Sequence, residues 1–373
     1  MRGNIVALVF SGAIACAIFN FLAPNILEVN ASLRAFVITG RFSSVDFEDN
    51  GLPTLRSARV GDYRSPFYVV HYGLQYSEAC RARVAAQNTY HWSQDPTRKH
   101  WHASPLSPTI ERFRVSVEWL IDKVKRDVRG NAHIYYDFDW PYPNHPGGWL
   151  RAPWYSGLTE AHAITLFLRA YDCFGDKRYE KVAGELYRSV VRPLTEGGSL
   201  GQLNGGLWIE EYVDRSVDPE SLSQVFNGAV YSYFGVEAYE RYANAPVFGS
   251  SLLKSISSNY RVFDDGFWSF YDTVGSKANL KYHRVNLALL TDPRLQGVQV
   301  TPTVLQRWTV GATVPVLFYG INGPSGVAKW HFYVSLLMVW AGLFCIIAIG
   351  FHRYWQFKTG ASKLARSLNS CLS

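Results

Sequence analysis

Methionine is scarce, with two residues in a chain of 373, and the five cysteines include no CxxC pair and no metal-type spacing. Neither a zinc site nor a disulfide framework is therefore indicated. Cys16 and Cys345 sit in strongly apolar runs; Cys80 and Cys173 could pair in an oxidising compartment, but the preferred reading is two free buried thiols. The chain also lacks a phosphate-binding loop, a GxSxG elbow, an HExxH pair and a dinucleotide fingerprint, so the chemistries those motifs serve have no signal here. No strict internal repeat is present.

What the chain does have is apolar and aromatic mass. Hydrophobic residues make up 48% and aromatics 15% of it, enough to bury one large domain with accessory segments and to exclude a disordered or fibrous protein. The formal net charge of +7 fits an anionic partner, whether nucleic acid, acidic lipid or acidic polysaccharide. Aromatic faces beside basic groups suit sugar rings that carry carboxylates.

Two apolar runs read as membrane segments, residues 5–22 and 332–351. The second is flanked by Lys329, Trp330 and His331 on one side and by His352, Arg353, Tyr354, Trp355 and Lys358 on the other, as interfacial anchors are. The first is read as an anchor, with a signal sequence starting at Arg2 as the alternative; Asn20 and Pro24 blur any cleavage site. The last 21 residues carry Arg353, Lys358, Lys363 and Arg366 and no acidic residue, which places the C-terminus in the cytoplasm and residues 24–330 outside it. A lipid bilayer is then an expected partner and a nucleic acid is not.

The expected division is 1–23 N-terminal anchor or signal sequence, 24–105 a small β or irregular region, 106–330 a helical domain, 331–352 a transmembrane helix and 353–373 a basic cytoplasmic tail. In the helical domain, Ser107 as cap, Pro108 at the first position and Ile110, Phe113, Val117, Leu120, Val124 and Val128 at helical spacing predict one helix up to Gly130. Leu158 to Tyr171, ending at Gly175, and Tyr179 to Val190, stopped by Pro193, predict an antiparallel hairpin; 226–242 and 249–260 continue the pattern. The expected fold class is mainly α, an (α/α) toroid whose loops build a cleft at one end.

Three segments gather ionisable groups beside aromatics: "LWIEEYVDRS", "GFWSFYD" and "LKYHRVNLALL". Alternation in the second predicts a strand with Phe267, Ser269 and Tyr271 on one face, and Tyr282 begins a predicted helix. Taken singly, each tyrosine reads as a packing aromatic; the combination of Glu-Glu-Tyr, Tyr-Asp and Tyr-His-Arg points to a site. The stretch "YDFDWPYPN…LRAPWYSGLTEAHAITLFLRAY", then "WIEEY", "VFNGAVYSYFG", "YD" and "ANLKYH", in that order, resembles the C-terminal catalytic domain of D-glucuronyl C5-epimerases. Upstream, "SPFYVVHYGLQYSE" is similar to another segment of that family, so the resemblance covers roughly residues 60–292.

The resemblance implies a site of Tyr282, Glu211, Tyr212 and Tyr271, with Arg284, His283, Arg215, Asn227, Trp154 and Tyr155 as substrate-binding candidates. Tyr282 and Glu211 are the expected proton carriers on opposite faces of the sugar, with Tyr212 and Tyr271 orienting it. Two positions depart from the animal members: Val274 replaces a substrate-binding arginine, and Asn286 a second histidine. The large β-domain that precedes the catalytic domain in those members is expected to be reduced or absent.

The implied activity inverts C5 of D-glucuronic acid to L-iduronic acid within an acidic, heparosan-like polysaccharide. That reaction requires neutralising a carboxylate, stabilising an enediolate and placing an acid/base group on each face, and neither cofactor nor metal is expected. Cations at Lys281, Arg284 or Arg215 are expected to pull a phenol pKa toward neutrality. A polysaccharide synthase in the same membrane, or a second copy of the chain, is the further protein partner considered. A polysaccharide lyase and a non-catalytic glycan-binding subunit of a synthesis or export complex are the alternatives.

Overall fold

The computed structural model describes residues 2–40, 45–57, 59–83, 95–98, 101, 104–295, 297–322, 330, 332–350 and 353–354. They fall into two compact units, one of Met1–Ala31 with Thr313–Ser373 and the other of Ser32–Ala312.

In the first unit, helix α1 (Arg2–Thr39) begins and continues past Pro24 into the second. Phe332–Gly350 is, among the described residues, the one helix long and apolar enough to cross a membrane; its 19 residues span about 28 Å, close to a bilayer core. Two spans were expected. The N-terminal candidate is a shorter apolar stretch, Val9–Ala23. The two apolar segments touch: the Phe19 and Phe332 rings meet edge to face at 5.0 Å, and the Trp340 indole N–H donates to Ser11 Oγ at 3.3 Å. Asn20, a polar residue in the apolar run, accepts the Val316 N–H at 2.9 Å. Lys329, His331, His352, Trp355, Lys358, Lys363 and Arg366, which were expected to anchor and orient this unit, lie outside the described residues.

The second unit is mostly helical. Strands β1 (Val45–Phe47), β2 (Pro53–Ser57) and β3 (Gly61–Tyr63) form a small antiparallel sheet, followed by helix α2 (Pro66–Tyr76). This helix occupies part of the region expected to be strands and loops. Its signal was a serine before a proline at the first helical position, and its length is nearly all buried. Helix α3 (Ile110–Lys123) is capped two residues later than expected, because the Thr109 side chain accepts the Arg112 N–H. It also ends early. Strand β4 (Val124–Arg126) pairs with β5 (Ala132–Ile134), and Val128 is fully exposed on the turn between them.

Helix α4 (Gly157–Phe174) is capped by Ser156 and closed by Gly175 at φ 69°, the left-handed region that glycine enters at no steric cost. Asp176 then caps α5 (Lys177–Val190), completing the expected hairpin. Helices α6 (Phe226–Ala243) and α7 (Gly249–Asn259) follow as expected. The core runs through α2 to α7, with Phe113, Leu120, Ile164, Leu168, Leu186 and Val230 at its centre. Among the described residues, four two-stranded ribbons sit between the helices: β4–β5, β6 (Trp140–Pro141) with β7 (Trp149–Leu150), β8 (Leu200–Leu203) with β9 (Gly206–Ile209), and β10 (Asp264–Asp265) with β11 (Trp268–Ser269). The strand expected in "GFWSFYD" shrinks to β11. Phe267 is 38% exposed while Ser269 is fully buried, so they do not share a face. Helix α8 (Leu280–Leu290) is capped by Asn279, and α9 (Pro302–Thr313) follows it.

Cys80 and Cys173 are joined, which corrects the expectation of free thiols: their Cα atoms are 5.8 Å apart, within bridging range. The bridge ties the segment after α2 to the end of α4 across 93 residues. A loop of that length restricts the unfolded chain by about 4 to 5 kcal/mol in the chain-entropy account. Replacing both cysteines by serine is expected to lower the denaturant midpoint accordingly; an unchanged midpoint would show that the bridge adds nothing to stability.

Candidate active site

Strand β9 delivers the chain to Glu210 and to Glu211, which lines a cavity of about 200 Å³. The backbone there is fixed from both sides: Tyr155 and Val213 exchange N–H to carbonyl bonds of 3.1 and 2.9 Å, and the Gly157 N–H donates to the Glu210 carbonyl at 3.2 Å. Room for the Glu211 side chain is left by Gly228 in the first turn of α6, where a Cβ atom would collide with the carboxylate. The same helix end holds the next tyrosine, since the Phe226 N–H donates to the Tyr271 carbonyl at 3.1 Å.

Asp272, fully buried, accepts from the Ser276 N–H at 2.9 Å and the Tyr142 hydroxyl at 3.0 Å, which closes the turn behind Tyr271. Tyr282 enters from the first turn of α8, its N–H bonded to the Asn279 cap. The Tyr212 and Tyr271 hydroxyls are 2.9 Å apart, and the Tyr271 and Tyr282 rings meet at 5.0 Å. Four residues drawn from three separate segments therefore converge: Glu211, Tyr212, Tyr271 and Tyr282.

Burial dominates the electrostatics. It raises the Glu211 carboxyl to about 7, against hydrogen bonding from the Tyr212 and Tyr271 phenols that favours the carboxylate. Burial likewise raises Glu210 to about 8, opposed by the Gln224 backbone N–H and reinforced by Glu211. Desolvation also lifts all three phenols above their ordinary value, and the Glu211 charge adds to it in each. The expected depression by cations is thus reversed. Glu211 Oε2 and Asn227 Nδ2 are buried with no hydrogen-bond partner among the described residues, which leaves one acceptor and one donor on side chains that line the cavity.

Asn227 and Trp154 line the cavity with Glu211, Tyr212 and Tyr282; Trp154 stacks on Tyr136 at 3.8 Å. Four other expected ligands are committed elsewhere. The Tyr155 hydroxyl donates to the Gly197 and Gly198 carbonyls, and Arg215 pairs with Asp127 at 2.8 Å. His283 is buried between Ser269 and the Trp308 carbonyl and stacks on Trp268 at 4.1 Å; burial lowers it to about 3, so it is a neutral core residue. Arg284 donates to the Ala312 carbonyl at 2.8 Å.

Val274 is 59% exposed on the turn after Tyr271, and Asn286 is buried, donating to Ser269 and the Phe270 carbonyl. The sequence reading missed the aromatic wall, Tyr63, Tyr68, Trp101, Tyr136, Phe138 and Trp140. For Tyr136, Phe138 and Trp140 the signal was the aromatic density of "YDFDWPYPN"; Tyr63, Tyr68 and Trp101 come from separate segments. Among the described residues no group of three or more His, Cys, Asp or Glu is arranged to hold a metal ion.

The Glu210 shift has a definite sign. Its folded-state value lies above the ordinary 4.5, so the folded chain holds the proton more tightly, and the associated stability is fully present below about 4.5 and lost as pH rises from there through about 8. Glu210→Gln is therefore expected to raise the thermal midpoint relative to the unsubstituted chain, by a margin that grows between pH 4.5 and 8. A margin independent of pH would show that Glu210 is ionised in the folded state.

Residues 129–309 match the family described as D-glucuronyl C5-epimerase C-terminus. A D-glucuronyl C5-epimerase of Caenorhabditis elegans is 26% identical over 235 residues, covering 51% of this chain and 36% of that protein. An uncharacterised protein of Methanocaldococcus jannaschii is 28% identical over 181 residues, covering 46% of this chain and 56% of that one. The chain thus spans 36% and 56% of the length of these two relatives. Among solved structures, a GH8 endo-β-1,4-glucanase from an Achatina fulica gut metagenomic library aligns over 84% of this chain and 96% of its own at 9% identity, with a TM-score of 0.38, too loose a likeness to carry an argument. The matched segment contains Glu211, Tyr212, Tyr271 and Tyr282, and through it the chain is similar to the D-glucuronyl C5-epimerase family.

Proposed function

We propose that this chain inverts C5 of D-glucuronic acid residues within an acidic polysaccharide. The observation that carries the reading is the placement of Glu211, raised to about 7, against the hydroxyls of Tyr212 and Tyr271 in a cavity that Tyr282 also lines. A carboxylate near neutrality is matched to proton abstraction at physiological pH. Glu211 takes the C5 proton, the electron pair of the broken C–H bond passes into the sugar carboxylate as an enediolate, and a phenol returns a proton to C5 from the other face. Because burial keeps the phenols protonated, they serve as hydrogen-bond donors and acids. Tyr282, on a different element from Glu211, is assigned the proton return, while Tyr212 and Tyr271 hold the enediolate and complete the relay.

The setting follows the same reading. The Cys80–Cys173 bridge fits an oxidising compartment, and the apolar helix Phe332–Gly350 fits a membrane anchor with the catalytic unit on the non-cytoplasmic side. Helices paired as α4 and α5 are consistent with the (α/α) toroid expected from the sequence. A heparosan-like polymer is the proposed substrate.

Incubating the full chain with a glucuronate polymer in heavy water is expected to place deuterium at C5 without any unsaturated, ultraviolet-absorbing product. Tyr282→Phe is expected to lower this exchange by about a hundredfold or more, the size of one acid/base contribution; undiminished exchange removes Tyr282 from the mechanism. The rate should rise with pH through about 7, where Glu211 ionises, and fall away below it. Glu211→Gln should abolish that rise together with the activity. A flat profile between pH 5 and 9 in the unsubstituted chain would eliminate Glu211 as the base.

A further inference from the structure

An internal residue of a polymer brings its neighbours with it, so a site that acts on one sugar must give the rest of the chain a way out. Glu211, Tyr212, Tyr271 and Tyr282 handle the reacting sugar, and the aromatic wall takes no part in that step. Its rings form a row. From Tyr212 the contacts run to Trp154 at 6.0 Å, from Trp154 to Phe138 at 6.3 Å, and from Phe138 to Tyr63 at 4.7 Å and to Trp140 at 6.3 Å, with Tyr63 and Trp140 5.7 Å apart. Every ring in the row lines the cavity. Trp154 is buried, whereas Tyr63, Phe138 and Trp140 are half-buried, so the row leads from the phenols out to the surface.

The outer rings are held from behind. Tyr136 and Trp154 exchange backbone N–H to carbonyl bonds of 2.8 and 3.4 Å, the Trp154 indole N–H donates to the Phe138 carbonyl at 2.9 Å, and Trp140 pairs with Leu150 across the β6–β7 ribbon. Asp139, between Phe138 and Trp140, accepts from the Ala152 N–H at 2.9 Å and from the Arg151 guanidinium at 2.6 Å, which fixes the segment and pairs the two charges with each other. Tyr63, Phe138 and Trp140 thus present a fixed, partly open aromatic surface whose own groups carry no charge. Such a surface suits the C–H face of a pyranose: the apolar ring carbons bury against it while the hydroxyls keep their water, and a carboxylate gains nothing there. Rings already held in place lose little freedom on binding. Single exposed aromatics need no explanation, but here three touch one another and continue the row that starts at Tyr212.

We propose that Tyr63, Phe138 and Trp140 form a second sugar subsite, beside the reacting one, that binds a neutral pyranose of the same polymer by its C–H face. The identity of the reacting sugar rests on the epimerase reading above. A polymer in which uronic acids alternate with neutral sugars is then held in register, because a neutral ring on Trp140 places a uronic acid against Glu211. The subsite also favours an internal residue of a polymer over a free glucuronide.

The test measures binding and C5 deuterium exchange by the full chain in detergent, with an oligosaccharide in which glucuronate alternates with a neutral sugar and with methyl glucuronide, which has no neighbouring sugar. Trp140→Ala is expected to raise the Kd and KM of the oligosaccharide about tenfold to a hundredfold, the range of an aromatic anchor at a binding surface. The change in kcat should be small, because a ring that does not react is held alike in the ground and transition states. The advantage of the oligosaccharide over methyl glucuronide should shrink by the same factor, and Trp140→Phe, which keeps a flat ring, should restore most of it. Trp140→Leu, which keeps apolar bulk without the flat face, serves if the alanine variant fails to fold and should lose the same advantage. The loss should persist at high salt, since stacking is not screened. An undiminished advantage in Trp140→Ala or Trp140→Leu, or a fall in kcat with KM unmoved, overturns the subsite, while deuterium exchange by the unsubstituted chain leaves the epimerase reading standing. Oligosaccharide binding that weakens in Trp140→Ala, with no exchange by the unsubstituted chain, keeps the subsite and removes the epimerase reading. Failure of the unsubstituted chain both to bind the oligosaccharide and to exchange deuterium removes the two together.

Discussion

The approach of Glu211 to helix α6 at Gly228 is the contact on which the rest of the site depends. A side chain at that position would collide with the carboxylate, so the glycine sets how far Glu211 sinks beneath the cavity wall. Depth in turn sets chemistry. Desolvation is the largest cause of the Glu211 shift, and the same desolvation, with the Glu211 charge added, holds the neighbouring phenols neutral. The start of α6 fixes Tyr271 as well, through the Phe226 N–H, so one helix end positions two of the four converging residues.

A buried carboxyl with an unpartnered oxygen is costly in a folded protein, and a site built around one pays in stability for readiness to react. Glu210 and Glu211 are consecutive, both buried and both raised, which concentrates that cost at the end of β9. The surroundings resist relaxation. Tyr155 and Val213 exchange backbone bonds on one side, and on the other Asp272 gathers Tyr142, Asn144 and Ser276 into a polar knot behind Tyr271. Tyr142 also touches the Tyr212 ring at 5.0 Å, so the knot bears on both paired phenols.

Much of the helical framework was legible in the sequence because periodicity and caps agree there: Ser156 and Gly175 bound α4 as the pattern required, and α5 and α6 followed. Misreadings arose where two local signals competed. Ser107 and Pro108 read as a helix start, but Thr109 makes the cap; Val124 and Val128 continued the helical spacing, but the chain turns into a ribbon at Val124. Helix α2 was hidden because its residues are buried on nearly every side, which leaves no polar face to reveal the period. The phenols were named from a motif resemblance. Their electrostatics could not be, because a pKa depends on depth, and spacing along the chain does not encode depth.

The basic residues near the motifs show the same limit from the other side. Arg215, His283 and Arg284 were nominated for their charge and their place in sequence, yet each is turned toward a protein partner: Asp127, the Trp308 carbonyl and the Ala312 carbonyl. Arg284 is the clearest case. It follows His283 on α8, and a helix advances each side chain by about 100° per residue; with His283 facing the core and Tyr282 the cavity, Arg284 is carried past both. Lys281 precedes Tyr282, and its ammonium lies 4.1 Å from the centre of the Trp101 ring. Where neighbouring side chains end up is therefore decided by helical phase, and the same stretch supplies a phenol to the cavity, an imidazole to the core and a guanidinium to the α9 carbonyl.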